Sequence, residues 1–76
     1  MASNDNDNTN SVAKVMEISV RSTTSFDDAI HAGIARASKT LRGVTSAWVK
    51  EQRVEVQDGR IVGYQANLLI TFTLED

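Results

Sequence analysis

The chain has 76 residues, a formal net charge of -2 and no cysteine. This length allows one small domain and argues against a catalytic domain with a deep cleft of its own, while the lack of cysteine excludes disulfides, thiolate nucleophiles and cysteine-ligated metals. Slight acidity without a basic stripe argues against nucleic-acid binding. No apolar run reaches membrane-spanning length. Because the chain has no cysteine, a reducing, cytoplasmic setting is expected.

The first ten residues are polar and rich in asparagine and aspartate. Such a segment buries too little apolar surface to fold, so residues 1–10 are predicted to be a flexible tail ahead of one domain over residues 11–76. The tail has no positive charge and no apolar stretch, and we do not expect a signal peptide. Its Asn and Asp side chains could ligate calcium, but the glycine and distal glutamate of an EF-hand loop are missing, so no metal site is expected.

The first predicted strand covers residues 12–21. Met16, Ile18 and Val20 alternate there with polar residues, which is the period of a strand with one buried face. A short polar connection over residues 22–24 separates this strand from the next element.

An amphipathic helix is predicted from Phe26 to Arg42. Ser25 is a good N-cap residue, and Gly43 supplies the position that ends the helix. The apolar residues recur at intervals of three or four, which keeps them on one face of a helix. They are Phe26, Ile30, Ile34, Ala37 and Leu41.

Two long strands, residues 44–57 and 60–74, are predicted to form a hairpin. The Asp58-Gly59 pair between them is a strong signal for a two-residue type I′ turn. An uninterrupted alternation in the last strand marks one buried face, formed by Val62, Tyr64, Ala66, Leu68, Ile70, Phe72 and Leu74. The predicted fold is therefore α+β with the order β-α-β-β, one helix packing on a three-stranded antiparallel sheet.

The hairpin register follows if the loop contains only Asp58 and Gly59. The face covered by the helix is then expected to pair Ala47 with Ile70 and Val49 with Leu68. The other face is expected to carry Trp48 opposite Leu69, Gln52 opposite Gln65, Val54 opposite Gly63, and Val56 opposite Ile61. A bulge in either strand would shift this register.

The second sheet face indicates self-association, because one helix covers only one side of a sheet. In this register a monomer would expose several apolar side chains together: Trp48, Val54, Val56, Ile61 and Leu69. Contiguous apolar patches of that kind mark interfaces or ligand sites. Burial against other copies of the chain is therefore expected, and an unpaired edge strand is a further reason to associate.

Side chains suited to catalysis are scarce. His31 is the only histidine, and no serine or acidic residue is spaced as its partner. The glycines do not form a phosphate-binding loop, and Glu51, Arg53 and Glu55 are interpreted as solvated or interfacial ion-pairing residues. We therefore expect neither an enzyme nor a metal centre.

The candidate binding residues are Trp48, Gln52, Gln65 and Leu69, which share one face in the predicted register. An indole offers a stacking surface, and a glutamine offers both a donor and an acceptor. This set suits a planar heteroaromatic ring with hydrogen-bonding edges. The alternative, which the residues alone favour, is that Trp48 fills an oligomer interface and Gln65 satisfies a neighbouring group.

Several short segments, in a specific order, connect the chain to a known family. They are Asp28-Ala29-Ile30, residues 35–42 of the helix, the Asp58-Gly59 hairpin, Tyr64-Gln65, and the strand end Phe72-Thr73-Leu74-Glu75. Together they resemble the dodecin family over about residues 12–75. The resemblance implies a hollow homo-dodecamer. It also implies flavin storage or sequestration, with riboflavin, FMN or FAD stacked in pairs between tryptophans at two-fold contacts.

One position departs from the family pattern. Flavin-binding dodecins have a tryptophan at the start of the second strand, and counting from the helix or from Tyr64-Gln65 puts that position at Ser46. Trp48 lies two residues later, on the same side of the strand but about 7 Å further along. Gln65 matches the glutamine that contacts the flavin ring. The expected flavin site therefore combines Ser46 and Gln65, which the resemblance implies, with Trp48 and Gln52, which share their face in the predicted register. The resemblance leaves open a flavin-free assembly that acts as a scaffold or binds calcium.

Overall fold

The computed structural model of the chain describes residues 10–74. It contains four elements, β1 (Ala13–Ser22), α1 (Phe26–Thr40), β2 (Val44–Gln57) and β3 (Arg60–Thr73). The strands form one antiparallel sheet in the order β1-β3-β2, and α1 packs on one of its faces. The predicted β-α-β-β fold is confirmed. The tail predicted for residues 1–10 lies outside the described residues except for Asn10.

The beginning of α1 is fixed by hydrogen bonds from serine side chains. The Ser25 hydroxyl accepts a hydrogen bond from the backbone N–H of Asp28 at 2.9 Å, as an N-cap residue should. The buried Ser22 hydroxyl donates to the Asp28 carboxylate at 2.7 Å and accepts from the Thr24 N–H at 2.9 Å. These contacts attach the end of β1 to the first turn of α1.

The helix ends at Thr40, two residues before the predicted end. Leu41 is already extended, with φ of -109°, although its N–H still donates to the Ala37 carbonyl at 2.9 Å. Gly43 therefore does not cap the helix directly. Its φ of 71° turns the chain into β2, where its carbonyl accepts from the Thr73 N–H at 2.9 Å.

The core lies between α1 and the central strand β3. Its buried apolar residues are Ala29, Ala37, Ala66, Leu68 and Ile70. Small residues on the helix let α1 approach the sheet closely, since a Cβ at Gly33 would lie 2.5 Å from Val20 Cγ2. The Phe26 ring packs edge-on against Tyr64 with 5.2 Å between ring centroids.

No helix within residues 10–74 is long and apolar enough to cross a membrane.

The hairpin begins with the predicted turn, since Asp58 and Gly59 both have positive φ, at 53° and 75°. Two residues at the ends of the predicted buried face of β3 are instead exposed, Val62 by 38% and Leu74 by 50%. Val62 is the extra residue at a bulge, because Glu55 pairs with Gly63 and Val56 pairs with Ile61. The buried face of β3 therefore runs only through its middle.

Two bulges together overturn part of the predicted register. Ala47, Trp48 and Val49 pair with Ile70, Leu69 and Leu68 as predicted. Between the extra residue Lys50 in β2 and the extra residue Val62 in β3, however, the pairing slips by one position. The observed pairs are Glu51 with Asn67, Gln52 with Ala66, Arg53 with Gln65, Val54 with Tyr64 and Glu55 with Gly63.

Because of the slip, the prediction of a large apolar patch on the second face is also wrong in part. Because side chains alternate along a strand, a shift of one residue exchanges the two faces. Val54 joins the face of Tyr64, Val56 and Ile61 pair beside the hairpin turn, and only Trp48 and Leu69 of the expected patch remain on the face opposite α1. Charged residues of β2 occupy the rest of that face.

Candidate functional site

The sheet face opposite α1, which we call the open face, carries polar side chains bonded across all three strands. From β1 come Glu17, Ser19 and Arg21; from β3 come Gln65 and Asn67; from β2 come Lys50, Glu51, Arg53 and Glu55. The bulges at Lys50 and Val62 create this arrangement, because the slip between them sets Glu51, Arg53 and Glu55 opposite β3 residues of the open face.

Gln65 lies at the middle of the open face and is held from both sides. The Arg53 Nε donates to Gln65 Oε1 at 2.9 Å, and Gln65 Nε2 donates to Ser19 Oγ at 2.9 Å. A guanidinium can only donate, so the Gln65 atom that faces it must be the carbonyl oxygen. The orientation of the amide is thereby determined by chemistry. We call Ser19, Gln65 and Arg53 the amide clamp.

An ion pair crosses the central strand beside the amide clamp. Arg21 Nε donates to both Glu55 oxygens at 3.0 and 2.9 Å, and its Nη2 lies 2.8 Å from Oε1. The pair passes over Gly63, where a Cβ would lie 2.7 Å from Glu55 Oε1. The hydrogen bond from Arg21 lowers the pKa of the Glu55 carboxyl below its ordinary value, and the same bond raises the pKa of Arg21.

Asn67 occupies the next open-face position of β3. Its Nδ2 donates to Glu51 Oε1 at 3.2 Å, while its Oδ1 is buried with no hydrogen-bond partner among the described residues. A shallow depression of about 200 Å³ lies here, lined by Glu51, Gln52, Arg53, Gln65 and Asn67. Its polar lining can meet the hydrogen-bonding edge of a small ring. Across residues 10–74, no cluster of three or more histidine or acidic side chains is placed to hold a metal ion.

The four predicted site residues are only partly brought together. Gln52 and Gln65 line the same depression, but the prediction that they face each other is wrong, because Gln52 pairs with Ala66. Trp48, 51% exposed, pairs with Leu69. Leu69 is four positions from Gln65 along β3, about 13 Å at the usual strand rise.

Ser46 lies two further positions from Gln65 than Trp48 does. It pairs with Thr71 on the open face, and it lines a separate depression together with Ile34 and Ser38. Ser46, Trp48 and Gln65 therefore share a face of one protomer without sharing a cavity. His31, the only histidine, is exposed on α1.

Sequence reasoning missed the partners of Gln65. Ser19 was not singled out, and Arg53 and Glu51 were interpreted only as solvated or ion-pairing residues. One signal in β2 was available, because the aliphatic residues Ala47 and Val49 stand at odd positions whereas Val54 and Val56 stand at even positions. Such a change of parity indicates an extra residue between the two sets.

Comparison with known proteins agrees with this fold. The family model described as Dodecin matches residues 12–75. A dodecin from Streptomyces coelicolor is 31% identical with a TM-score of 0.81, covering 90% of this chain and 97% of that one. A dodecin from Streptomyces davaonensis is 34% identical with a TM-score of 0.81, covering 90% of this chain and 100% of the other.

A third similar structure is a calcium dodecin from Mycobacterium tuberculosis, described as a calcium-chelating immunodominant antigen with a novel calcium-binding site. It is 32% identical with a TM-score of 0.72, covering 86% of this chain and 93% of that one. No curated protein sequence gives a significant match. With its family model matched over nearly the whole described region, the chain belongs to the dodecin family.

Proposed function

We propose that this protein is a cytoplasmic homo-oligomeric cage, a dodecamer, that binds and stores or sequesters a flavin. Dodecins are known as small binding and storage proteins, and the family forms homo-oligomers. The observation that carries the proposal is Gln65. It stands at the position where the family's glutamine contacts the flavin, and it presents an oriented amide in a polar depression of the open face.

Trp48 supplies the stacking surface in this proposal. Its indole is half-exposed on the same face as Gln65. The separation of about 13 Å along the sheet means that one fused ring system either spans both residues or meets the Trp48 of a neighbouring copy. Gln52 would contribute only to the rim of the depression, because it pairs with Ala66 and so belongs to the face covered by α1. Ser46 would leave open the place that a tryptophan fills in flavin-binding members.

A second candidate function is a flavin-free cage that serves as a scaffold or binds calcium. Two observations favour it: Ser46 stands at the family's stacking position, and a calcium dodecin is among the similar structures. The open face offers Glu17, Glu51 and Glu55, but each of these carboxylates already accepts a hydrogen bond from a side chain. Flavin binding is therefore our first proposal.

Assembly and ligand binding are tested separately. Sedimentation should give a mass near twelve protomers of 8.3 kDa, and a monomer at micromolar concentration would contradict the cage. Titration of riboflavin, FMN and FAD should quench flavin fluorescence. Absence of quenching by any flavin, combined with heat release on titration of calcium, would favour the second candidate over the first.

Replacement of Trp48 distinguishes a stacking role from an interface role. Trp48→Ala should weaken flavin binding by about 1–3 kcal/mol, the range for aromatic stacking on a planar base, while the sedimenting mass stays unchanged. Trp48→Phe is the matched control, because it keeps an aromatic face and should retain most of the affinity. Loss of the assembly in Trp48→Ala would show instead that Trp48 is an interface residue.

A further inference from the structure

We propose that Ser19 and Arg53 are positioning residues, which hold the Gln65 amide in one orientation and so select ligands with an adjacent N–H and C=O on a ring edge. This inference rests on the proposed function, since it concerns the same ligand site. Two hydrogen bonds of 2.9 Å reach Gln65 on the open face, one from each of the strands that flank β3.

The two partners of Gln65 differ in what they can accept or donate. Arg53 carries only donors, whereas the Ser19 hydroxyl can do either. If the amide rotated by half a turn, its NH₂ group would meet the Arg53 N–H, and a donor would face a donor. Arg53 therefore decides the orientation, and Ser19 stabilises the same orientation by accepting from Nε2.

The two bulges at Val62 and Lys50 together provide a donor-only partner. In an unbroken register Gln52 would face Gln65, and two amides can bond in either of two orientations. The slip between the two bulges brings Arg53 opposite Gln65 instead. The slip thus replaces a partner that permits both orientations with one that permits a single orientation.

The hydrogen bonds left over on Gln65 define the ligand chemistry. A glutamine amide has two N–H donors and accepts two hydrogen bonds at its oxygen. Ser19 takes one donor and Arg53 takes one acceptor position. One N–H and one lone pair remain, side by side on the same amide. Their complement is a planar ring with a carbonyl beside an N–H, such as an imide or lactam edge.

A held side chain also binds more tightly than a free one. Ordering a flexible side chain on binding opposes association by about 0.5–1.5 kcal/mol, which corresponds to about twofold to tenfold in affinity. In the amide clamp that ordering is present before the ligand arrives. Loss of either partner should therefore weaken only those ligands that bond to Gln65.

The test uses two neutral probes, lumiflavin and its derivative methylated at the imide nitrogen, which lacks the ring N–H. Fluorescence quenching gives a Kd for each probe with the assembled protein. The wild type should prefer lumiflavin by about twofold to tenfold, the range for one net hydrogen bond. In Ser19→Ala and in Arg53→Gln this preference should disappear. The Kd of lumiflavin should rise, while the Kd of the methylated probe should stay unchanged.

Matched variants separate positioning from other roles. Ser19→Thr keeps the hydroxyl and should keep the wild-type preference, and Ser11→Ala changes an exposed serine ahead of β1 and should have no effect. In a Gln65→Ala background, adding Ser19→Ala should change neither Kd, because Ser19 acts through Gln65. A further loss of lumiflavin affinity in that background would show direct contact and overturn the inference.

The outcomes also separate this inference from the proposed function. If the wild type binds lumiflavin and both clamp variants keep its preference over the methylated probe, the inference is overturned while flavin binding stands. An equal weakening of both probes would indicate a merely structural role and would likewise overturn it. If the wild type binds neither lumiflavin nor any other flavin, the proposed function fails and the inference fails with it.

Discussion

Gly33 stands where α1 packs tightly against β1 and β3, and its replacement by alanine tests the packing of the core. An added Cβ would lie 2.5 Å from Val20 Cγ2, 3.0 Å from Leu68 Cδ1 and 3.4 Å from Ile18 Cδ1. Optimal carbon contacts are about 3.5–4.0 Å, so the first two are too close. Val20 has a branched side chain with restricted rotation, and Leu68 is fully buried, so neither moves away easily.

Two terms of opposite sign determine the expected change in stability. Alanine in place of glycine inside a helix stabilises by about 1 kcal/mol. Overpacking of a well-packed core destabilises by about 1–3 kcal/mol. We therefore expect Gly33→Ala to lower the free energy of unfolding by about 0–2 kcal/mol, whereas the same change at an open helix position would raise it.

A double-mutant cycle with Val20→Ala measures the contact directly. Removing the Val20 methyl groups gives the new Cβ room. The double variant should therefore be more stable, by about 1 kcal/mol or more, than the sum of the two single changes in unfolding free energy predicts. Urea unfolding at one fixed protein concentration is the assay, because assembly makes stability depend on concentration. Ala35→Gly, on the exposed side of α1, calibrates the helix-propensity term. A stabilised Gly33→Ala with additive effects would refute this account of the packing.

Two further predictions concern hydrogen bonds of the described structure. Because Arg21 lowers the pKa of Glu55 in the folded state, this carboxyl stabilises the fold above its ordinary pKa, and that stabilisation is lost as the pH falls through the lowered value. Glu55→Gln should therefore flatten the acid limb of a plot of urea midpoint against pH, and an unchanged limb would contradict it. Ser25→Ala removes the N-cap bond to Asp28 and should destabilise by about 1 kcal/mol in thermal unfolding, whereas Ser25→Asp should retain most of the stability.

The features that could be predicted from the sequence are those set by near neighbours. Ser25 caps the helix and Asp58-Gly59 forms the turn because these residues act on the backbone within a few positions. The predicted end of the helix is wrong because it relied on the spacing of apolar residues alone. Leu41 continues the helical spacing of apolar residues, but it reaches the core from an extended backbone just beyond α1.

The register could not be obtained from turn chemistry alone. A two-residue turn fixes the pairing only as far as the first bulge, which is the extra residue Val62 in β3, and further extra residues follow at Lys50 and Thr45 in β2. The predicted register placed Val54 on the open face and left Arg53 among the solvated residues. The slip moves Val54 to the face of Tyr64 and places Arg53 opposite Gln65 on the open face, where the two side chains are hydrogen-bonded.

The open-face location of Trp48 and Gln65 was predictable from alternation, whereas the hydrogen-bond partners of Gln65 were not. Ser19 lies 46 positions away in sequence and reaches Gln65 only because β3 runs between β1 and β2. The periodicity of a strand shows which face a residue occupies but not which strand lies beside it. Arg53 was missed because its pairing depends on the bulge.

The bulge positions also determine where Trp48 lies relative to Gln65. Residues 46–49 lie between the extra residues Thr45 and Lys50 and keep one register with β3. Along β3, the partner of Ser46 is about 20 Å from Gln65 and the partner of Trp48 is about 13 Å away. A tryptophan at position 48 therefore stays on the open face and lies closer to the amide clamp. In the proposed flavin site, the departure from the family pattern would therefore place the stacking surface nearer to Gln65 instead of removing it.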